Sequence, residues 1–326
     1  MNAETKKQIL AIARDLGYQP NQVARSLRLE HSKTIGIIAD DISTPFTPTI
    51  IRGVQDYLKQ KGYFNLITNT DWDPQAEVSA VHDLMSRAVD GIIFVQTWNQ
   101  GANEILDLAN KPYVFIHRLF GQSISNSVIP DEEYGARLAT RHLINLGHRR
   151  IAHISGPDHY YTSSERLTAY QAELQSHGIA DDPGLVVKGN WEVESGYDAG
   201  KVLLQRTPAP TAIFAANDLM ALGAIYAAQE AGLRVPEDLA VVGYDNRNFA
   251  GFVQPAITTV TLPVYEMGQR GAQLLLEHLG GEPDLLVEVK VRGELIIRAS
   301  CGSKEIPADS RLAQRGRSFD REVFNT

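Results

Sequence analysis

The stretch Leu16-Gly17-Tyr18-Gln19-Pro20-Asn21-Gln22-Val23-Ala24-Arg25-Ser26-Leu27-Arg28 governs the reading of the chain. A helical segment precedes it, with Ile9, Leu10, Ala13 and Leu16 at helical spacing. Gly17 stops that helix, because glycine takes the left-handed cap without strain. Pro20 lacks an N–H and biases Gln19 toward an extended conformation. Asn21 is a good N-cap for a second, short helix ending near Arg28. A helix that short is not stable alone in water, where roughly 12–15 residues are needed, so it is expected to order only against a partner. Arg25 and Arg28 suit a polyanion, and Leu27 between them is an apolar side chain with no core beside it. Cations for phosphate and an apolar side chain to part a base step are what a minor-groove wedge requires. A polar linker between two domains is the alternative reading of the same residues.

Composition narrows the classes. The chain has 326 residues, 43% of them apolar and 21% charged, which fits a globular protein large enough for two domains. Its one cysteine, Cys301, allows no disulfide within the chain and fits a reducing, cytoplasmic setting. No apolar run approaches the roughly 18 residues of a membrane span. Lys6 and Lys7 are not followed by the apolar stretch of a secretory signal. The net charge of −8 argues against a generally basic nucleic-acid surface, but it is uneven. Residues 1–33 carry six Lys or Arg against three acids, net +3, which leaves −11 for the remainder. A basic arm on an acidic body confines any nucleic-acid contact to the arm.

From Thr34 onward, short apolar runs alternate with amphipathic segments. Strands are predicted at Thr34–Ala39, Phe64–Thr68, Gly91–Gln96 and Tyr113–His117, then at Arg150–Ser155, Leu185–Lys188, Ala212–Ala216 and Leu239–Tyr244. Helices are predicted between them, at Thr47–Gln60, Pro74–Arg87, Asp131–Asn145, Ser164–His177, Glu194–Gln205 and Asp218–Ala231. Several end in a glycine cap, as at Gly62, Gly147, Gly178 and Gly232. Alternation with continuous apolar strands predicts an α/β fold, its parallel sheet covered on both faces. One closed barrel and two open sheets both satisfy that pattern.

Four stretches decide between them: residues 9–28, Leu143-Ile144-Asn145-Leu146-Gly147-His148-Arg149-Arg150-Ile151, Ala216-Asn217-Asp218-Leu219-Met220-Ala221-Leu222-Gly223, and Val235-Pro236-Glu237-Asp238-Leu239-Ala240-Val241-Val242-Gly243-Tyr244-Asp245, followed by Pro255-Ala256-Ile257-Thr258-Thr259-Val260. Over about residues 3–301 the chain resembles the LacI/GalR family of bacterial transcription regulators. The resemblance implies two doubly wound parallel-sheet subdomains, like a periplasmic binding protein, behind a short helical remnant of a DNA-binding headpiece. The chain would cross between subdomains near Pro130-Asp131, Thr261-Leu262-Pro263 and Val291-Arg292-Gly293. The implied organisation is headpiece and hinge at 1–33, one subdomain at 34–130 and 263–290, the other at 131–262 and 291–302, and a polar, disordered tail at 303–326. The hinge would contact DNA through Asn21, Ala24, Arg25, Leu27 and Arg28. The family's recognition helix lies before this stretch and is not expected among these residues.

No enzyme signature is present: there is no P-loop, no nucleophile elbow and no His-Glu-x-x-His. The nine histidines lack metal-ligand spacing, so no catalytic residue, metal or cofactor is expected. In open parallel sheets, ligands bind beyond the carboxyl ends of the strands. Trp72, Trp98 and Trp191 all fall in such loops, and Phe46 follows the first strand. Aromatic faces there suit the C–H faces of a sugar, with polar groups fixing its hydroxyls. Local packing is the plain alternative for each aromatic. Arg166, Asn217 and Asp245 follow later strands, and the resemblance implies that they and Trp191 contact an effector. Otherwise Asn217 and Asp218 only cap a helix, the role expected for Asp218, and Arg166 only pairs with an acid. His117-Arg118 stands where many relatives have Asp-Arg, and Arg118 joins the candidate site. An imidazole there replaces an anion able to accept two hydroxyl protons.

The resemblance therefore implies a non-enzymatic, ligand-responsive repressor of a carbohydrate operon. A sugar or sugar phosphate would bind between the subdomains and alter the hinge, and operator DNA would be the second partner. Thr47–Gln60 carries Ile50, Ile51, Val54, Tyr57 and Leu58, more apolar surface than one sheet face covers, which predicts a homodimer, with a tetramer left open. A transporter's free solute-binding protein would instead show an export signal and no basic hinge. A sugar-processing enzyme would show convergent catalytic groups.

Overall fold

The computed structural model describes residues 2–15, 31–96, 108, 111–117, 126–281 and 287–303. The hinge candidates Asn21, Ala24, Arg25, Leu27 and Arg28, the site candidates Trp98 and Arg118, and the tail beyond residue 303 lie outside the described residues. Helix α1 (Ala3–Asp15) covers the segment expected from Ile9, Leu10 and Ala13.

Two six-stranded sheets follow, not a barrel, and the fold is α/β as expected. The first contains β1 (Thr34–Ala39), β2 (Phe64–Asn69), β3 (Gly91–Val95), β4 (Tyr113–Ile116), β5 (Ser127–Pro130) and β11 (Glu288–Val291), in the order β11-β5-β4-β3-β1-β2. The second contains β6 (Ile151–Ser155), β7 (Val186–Lys188), β8 (Ala212–Ala215), β9 (Ala240–Asp245), β10 (Thr258–Thr261) and β12 (Leu295–Ile296), in the order β12-β10-β9-β8-β6-β7. Strands β1 to β5 pair in parallel, as do β6 to β10, and β12 lies antiparallel to β10. Both sheets reverse their winding once, between β1 and β3 and between β6 and β8. At such a switch point two neighbouring loops diverge and leave a crevice at the carboxyl ends of the strands.

The chain divides into two compact units, one of residues 1–97, 101–128 and 265–288, the other of 98–100, 129–264 and 289–326. In the first unit, α2 (Thr47–Gln60) and α3 (Pro74–Ser86) connect the early strands. Val81 and Leu84 of α3 bury against Ile38, Ile92 and Phe94. Helix α8 (Val264–Leu279), absent from the sequence-based expectation, packs on α2. Gly53 and Gly268 make that crossing possible: a Cβ on Gly53 would sit 2.1 Å from the Tyr265 carbonyl oxygen, and one on Gly268 would sit 2.1 Å from that of Ile50. Within this one chain Ile50, Val54 and Leu58 are fully buried and Ile51 nearly so. The apolar excess of α2 is therefore satisfied internally, and it is not the exposed dimer surface expected from the sequence.

In the second unit, α4 (Glu132–Asn145), α5 (Tyr161–Ser176), α6 (Val193–Leu204) and α7 (Asp218–Glu230) flank the sheet. Ala199, Leu203, Ala221, Ala224 and Ile225 of α6 and α7 bury with Ile154, Ile213 and Val241 of the strands. Beneath α5, the fully buried His153 ring stacks on Tyr170 at 5.0 Å and lies 4.8 Å from Phe214. Burial lowers the His153 pKa to about 4.

Candidate effector site

The second unit gathers four of the candidates at one end of its sheet. Asp245 is the last residue of β9, and Asn217 follows β8 as N-cap of α7, its Oδ1 accepting from the Met220 N–H at 2.8 Å. The Asn217 Nδ2 donates to the Trp191 carbonyl at 2.8 Å. That bond pins Trp191 in a left-handed conformation, φ 75°, which a bulky side chain rarely takes. The Trp191 indole lies against Gly156, where a Cβ would come within 2.2 Å of it. Tyr160 meets the same ring edge-on at 5.6 Å.

Arg166, on α5, is 4% exposed. Its Nε and Nη2 donate to the two carboxylate oxygens of Glu132 at 2.7 and 2.9 Å, the bidentate geometry that holds a buried guanidinium best. Its Nη1 donates to the Ala216 carbonyl and lies 3.7 Å from Asp245 Oδ1. The guanidinium sits 3.7 Å above the Tyr244 ring and 6.0 Å from that of Trp191. Arg166 thus pairs with an acid, the plain alternative for it, and also faces Asp245.

One cation is shared by two buried carboxyls, and burial together with that sharing sets the protonation of Asp245. Burial pushes Asp245 up to about 8 against the pull of Arg166, and Asp218 and Glu132 push the same way. Burial alone would lower Arg166, but Glu132 outweighs it and holds the guanidinium charged. At neutral pH the Asp245 carboxyl therefore carries a proton, and it can donate as well as accept. Asp218 does not cap α7; that role falls to Asn217. Its Oδ2 instead accepts from the Arg247 N–H at 2.7 Å, and burial raises its pKa to about 7. Glu132 was missed in the sequence. In the run Asp131-Glu132-Glu133 it reads as one more acid favouring a helix start. Its burial at the first position of α4, directly after β5, is a tertiary fact.

In the first unit, Phe46 precedes α2 and meets the His117 ring edge-on at 6.4 Å. Trp72 is 40% exposed in the loop after β2, with φ 65°, and its amide donates to the Asp40 carbonyl at 3.3 Å. Hydrogen bonds from Ser43, and one from the Trp72 indole, lower the pKa of Asp41. Left-handed non-glycine residues gather at strand carboxyl ends in both units: Asp71, Trp72, His117, Trp191, Asp245 and Asn246. Such strain persists only where the surroundings over-determine it, and it concentrates at binding sites. Among the described residues no group of three His, Cys, Asp or Glu could hold a metal ion.

Two sheets wound alike, with a buried ion pair and the strained Trp191 at the strand ends of the second, define a ligand-binding α/β protein of the periplasmic-binding-protein type. Residues 140–301 match the periplasmic binding protein-like domain. The "HTH-type transcriptional repressor PurR" of Haemophilus influenzae (strain PittEE) is 32% identical, over 92% of this chain and 90% of that protein. "Catabolite control protein A" of Priestia megaterium is 33% identical, over 85% of this chain and 84% of that protein. Among solved structures, the Lac repressor bound to ONPG in its repressed state superposes with a TM-score of 0.76 at 28% identity, covering 92% of this chain and 91% of that one. The transcriptional regulator CelR–cellobiose complex superposes at 0.70 with 31% identity, covering 92% of this chain and 91% of that one. The chain belongs to the LacI/GalR family of bacterial transcription regulators.

Proposed function

We propose that the chain is a cytoplasmic, ligand-responsive repressor of a carbohydrate-utilisation operon, with a sugar or sugar phosphate as effector. The observation that carries this is the Arg166–Glu132–Asp245 cluster beside Trp191, at the switch point of a parallel sheet. A guanidinium with donors to spare and a protonated carboxyl can bind neighbouring hydroxyls, and the indole face covers a sugar's C–H surface. Phe46, Trp72, Trp98 and Arg118 are assigned to the same effector, and the relative solved with cellobiose supports the class. Binding is coupled to operator DNA through Asn21, Ala24, Arg25, Leu27 and Arg28, with two copies of the chain acting together.

Calorimetric titration of D-glucose, D-galactose, cellobiose, maltose and glucose 6-phosphate tests the site. Removing a charge-assisted partner in a closed site costs about 1.5–3 kcal/mol, or roughly 10–150-fold in affinity. Asp245→Ala and Arg166→Ala are expected to weaken the tightest of these by that factor, and unchanged affinity in both rejects the site.

A further inference from the structure

We propose that Arg298 is a positioning residue for the effector: it clamps the Asp245-Asn246 turn and so fixes the Asp245 carboxyl toward Arg166. This rests on Asp245 being an effector contact, as argued above.

Asp245 and Asn246 are consecutive left-handed residues, φ 99° and 53°, and neither is glycine. Such a pair does not hold itself. Four ties from three segments hold it. Leu262 N–H donates to the Asp245 carbonyl at 3.3 Å, and Thr259 Oγ1 accepts from the Asn246 N–H at 3.2 Å. Asp218 Oδ2 accepts from the Arg247 N–H, and Arg298 Nη2 donates to Asn246 Oδ1 at 2.6 Å. The Arg298 bond is the one side-chain to side-chain tie and the shortest of the four. It comes from a distant part of the sequence, beyond the last strand.

Arg298 is itself built in. It is 7% exposed, its N–H donates to Thr258 Oγ1 at 2.9 Å, and its Nη1 donates to the Ile257 carbonyl at 2.7 Å. The following Ser300 donates to the Val241 carbonyl at 2.6 Å and accepts from the Thr258 N–H at 2.9 Å, so the segment is stitched to β9 and β10. A buried guanidinium is costly, and an apolar side chain could fill the same space with less desolvation. Its Nε has no hydrogen-bond partner among the described residues. What the guanidinium adds over an apolar filler is the bond to the Ile257 carbonyl, the reach to Asn246 and a cation near the buried Asp218 carboxyl.

Residue-resolved hydrogen exchange on the ligand-free chain tests the clamp. In Arg298→Met the amides of residues 246 and 247 are expected to exchange at least tenfold faster, relative to those of Val241 and Val242. Asn246→Ala, which leaves the guanidinium in place, should do the same. Arg298→Met added to Asn246→Ala should add nothing further at the turn, whereas a general structural role would multiply the two effects. Unchanged exchange in Asn246→Ala, or multiplied effects in the double variant, overturns the clamp, and Asn246→Ala alone decides it if Arg298→Met does not fold. Titration with the tightest of the five sugars above separates the two ideas. Asp245→Ala without effect, or no binding by any of the five, rejects the effector reading and leaves the clamp to the exchange result. Asp245→Ala weakening binding while Asn246→Ala and Arg298→Met leave it unchanged rejects positioning alone; weakening by roughly tenfold in all three supports it.

Discussion

Replacing Asp245 by Asn tests the charge balance of the site without needing an effector. In the fold the carboxyl holds its proton up to about pH 8, whereas a free aspartate loses it near 3.8. Between those values the unfolded chain releases a proton that the folded chain keeps, so wild-type stability falls as pH rises. One proton is worth about 1.4 kcal/mol per pH unit. Asparagine has the same shape as the protonated acid and does not titrate. Relative to wild type, Asp245→Asn should therefore gain roughly 3 kcal/mol between pH 5 and pH 7, then level off near pH 8. Other groups titrate over the same range: His153 is present in both proteins and drops out of the difference, whereas Asp218, which interacts with Asp245, does not cancel fully and blurs the slope near pH 7. Urea unfolding of both at pH 5, 6, 7 and 8, at one protein concentration, measures it. Parallel stability curves would show Asp245 ionised in the fold. Arg166 would then be balancing two carboxylates at once, and the proposed donor role of Asp245 would be wrong.

His153 gives the opposite slope. Its folded pKa is lowered from 6.5 to about 4, so below pH 6.5 the unfolded chain takes up a proton that the fold refuses. Stability should fall by about 1.4 kcal/mol per pH unit from 6.5 down to 4, and His153→Leu, compared with wild type by urea unfolding, should abolish that component. Gly53→Ala sets a helix-propensity gain of about 1 kcal/mol against overpacking of about 3 kcal/mol or more, so net destabilisation is expected, visible as a lower denaturation midpoint; an unchanged midpoint would contradict the α2–α8 crossing. For the proposed dimer, exposed apolar side chains remain on the edge strand β2, where Phe64 is 64% and Ile67 44% exposed. Ile67→Lys should shift sedimentation at micromolar concentration toward the monomer, and wild type sedimenting as a monomer would remove the proposal.

The strands legible in the sequence include the partly exposed edge strands Phe64–Asn69 and Val186–Lys188, but the plainest are central ones. Thr34–Ala39, Gly91–Val95, Ile151–Ser155 and Ala240–Asp245 are continuous apolar runs because helices cover both sides of them. Ser127–Pro130, Thr258–Thr261, Glu288–Val291 and Leu295–Ile296 are short or mixed, and periodicity alone does not mark them. Helix α8 was hidden by Gly268 and Gly271, which weaken a helical signal. Those glycines are there because backbone and side chains approach where a Cβ would stand: the Ile50 carbonyl at Gly268 and the Ile116 side chain at Gly271. Missing α8 left α2 with an apolar face that had no partner, and the dimer argument drawn from that face followed from the omission.

The site shows the same division at finer scale. Asp245, Asn217 and Trp191 could be placed because each ends or follows a recognisable strand. What each does there depends on residues that no local pattern connects to it. Asn217 caps a helix and holds the Trp191 carbonyl with the same amide group, so its structural and functional readings were never exclusive. Arg166 likewise pairs with an acid and also faces Asp245, whose carboxyl keeps its proton chiefly because it is buried. Burial of Asp245, reinforced by Asp218 and Glu132 against the pull of Arg166, sets whether its carboxyl can donate to an effector hydroxyl. These groups come from distant segments and meet only in the fold, with Arg166 Nη1 3.7 Å from Asp245 Oδ1, which is why the balance is invisible along the chain.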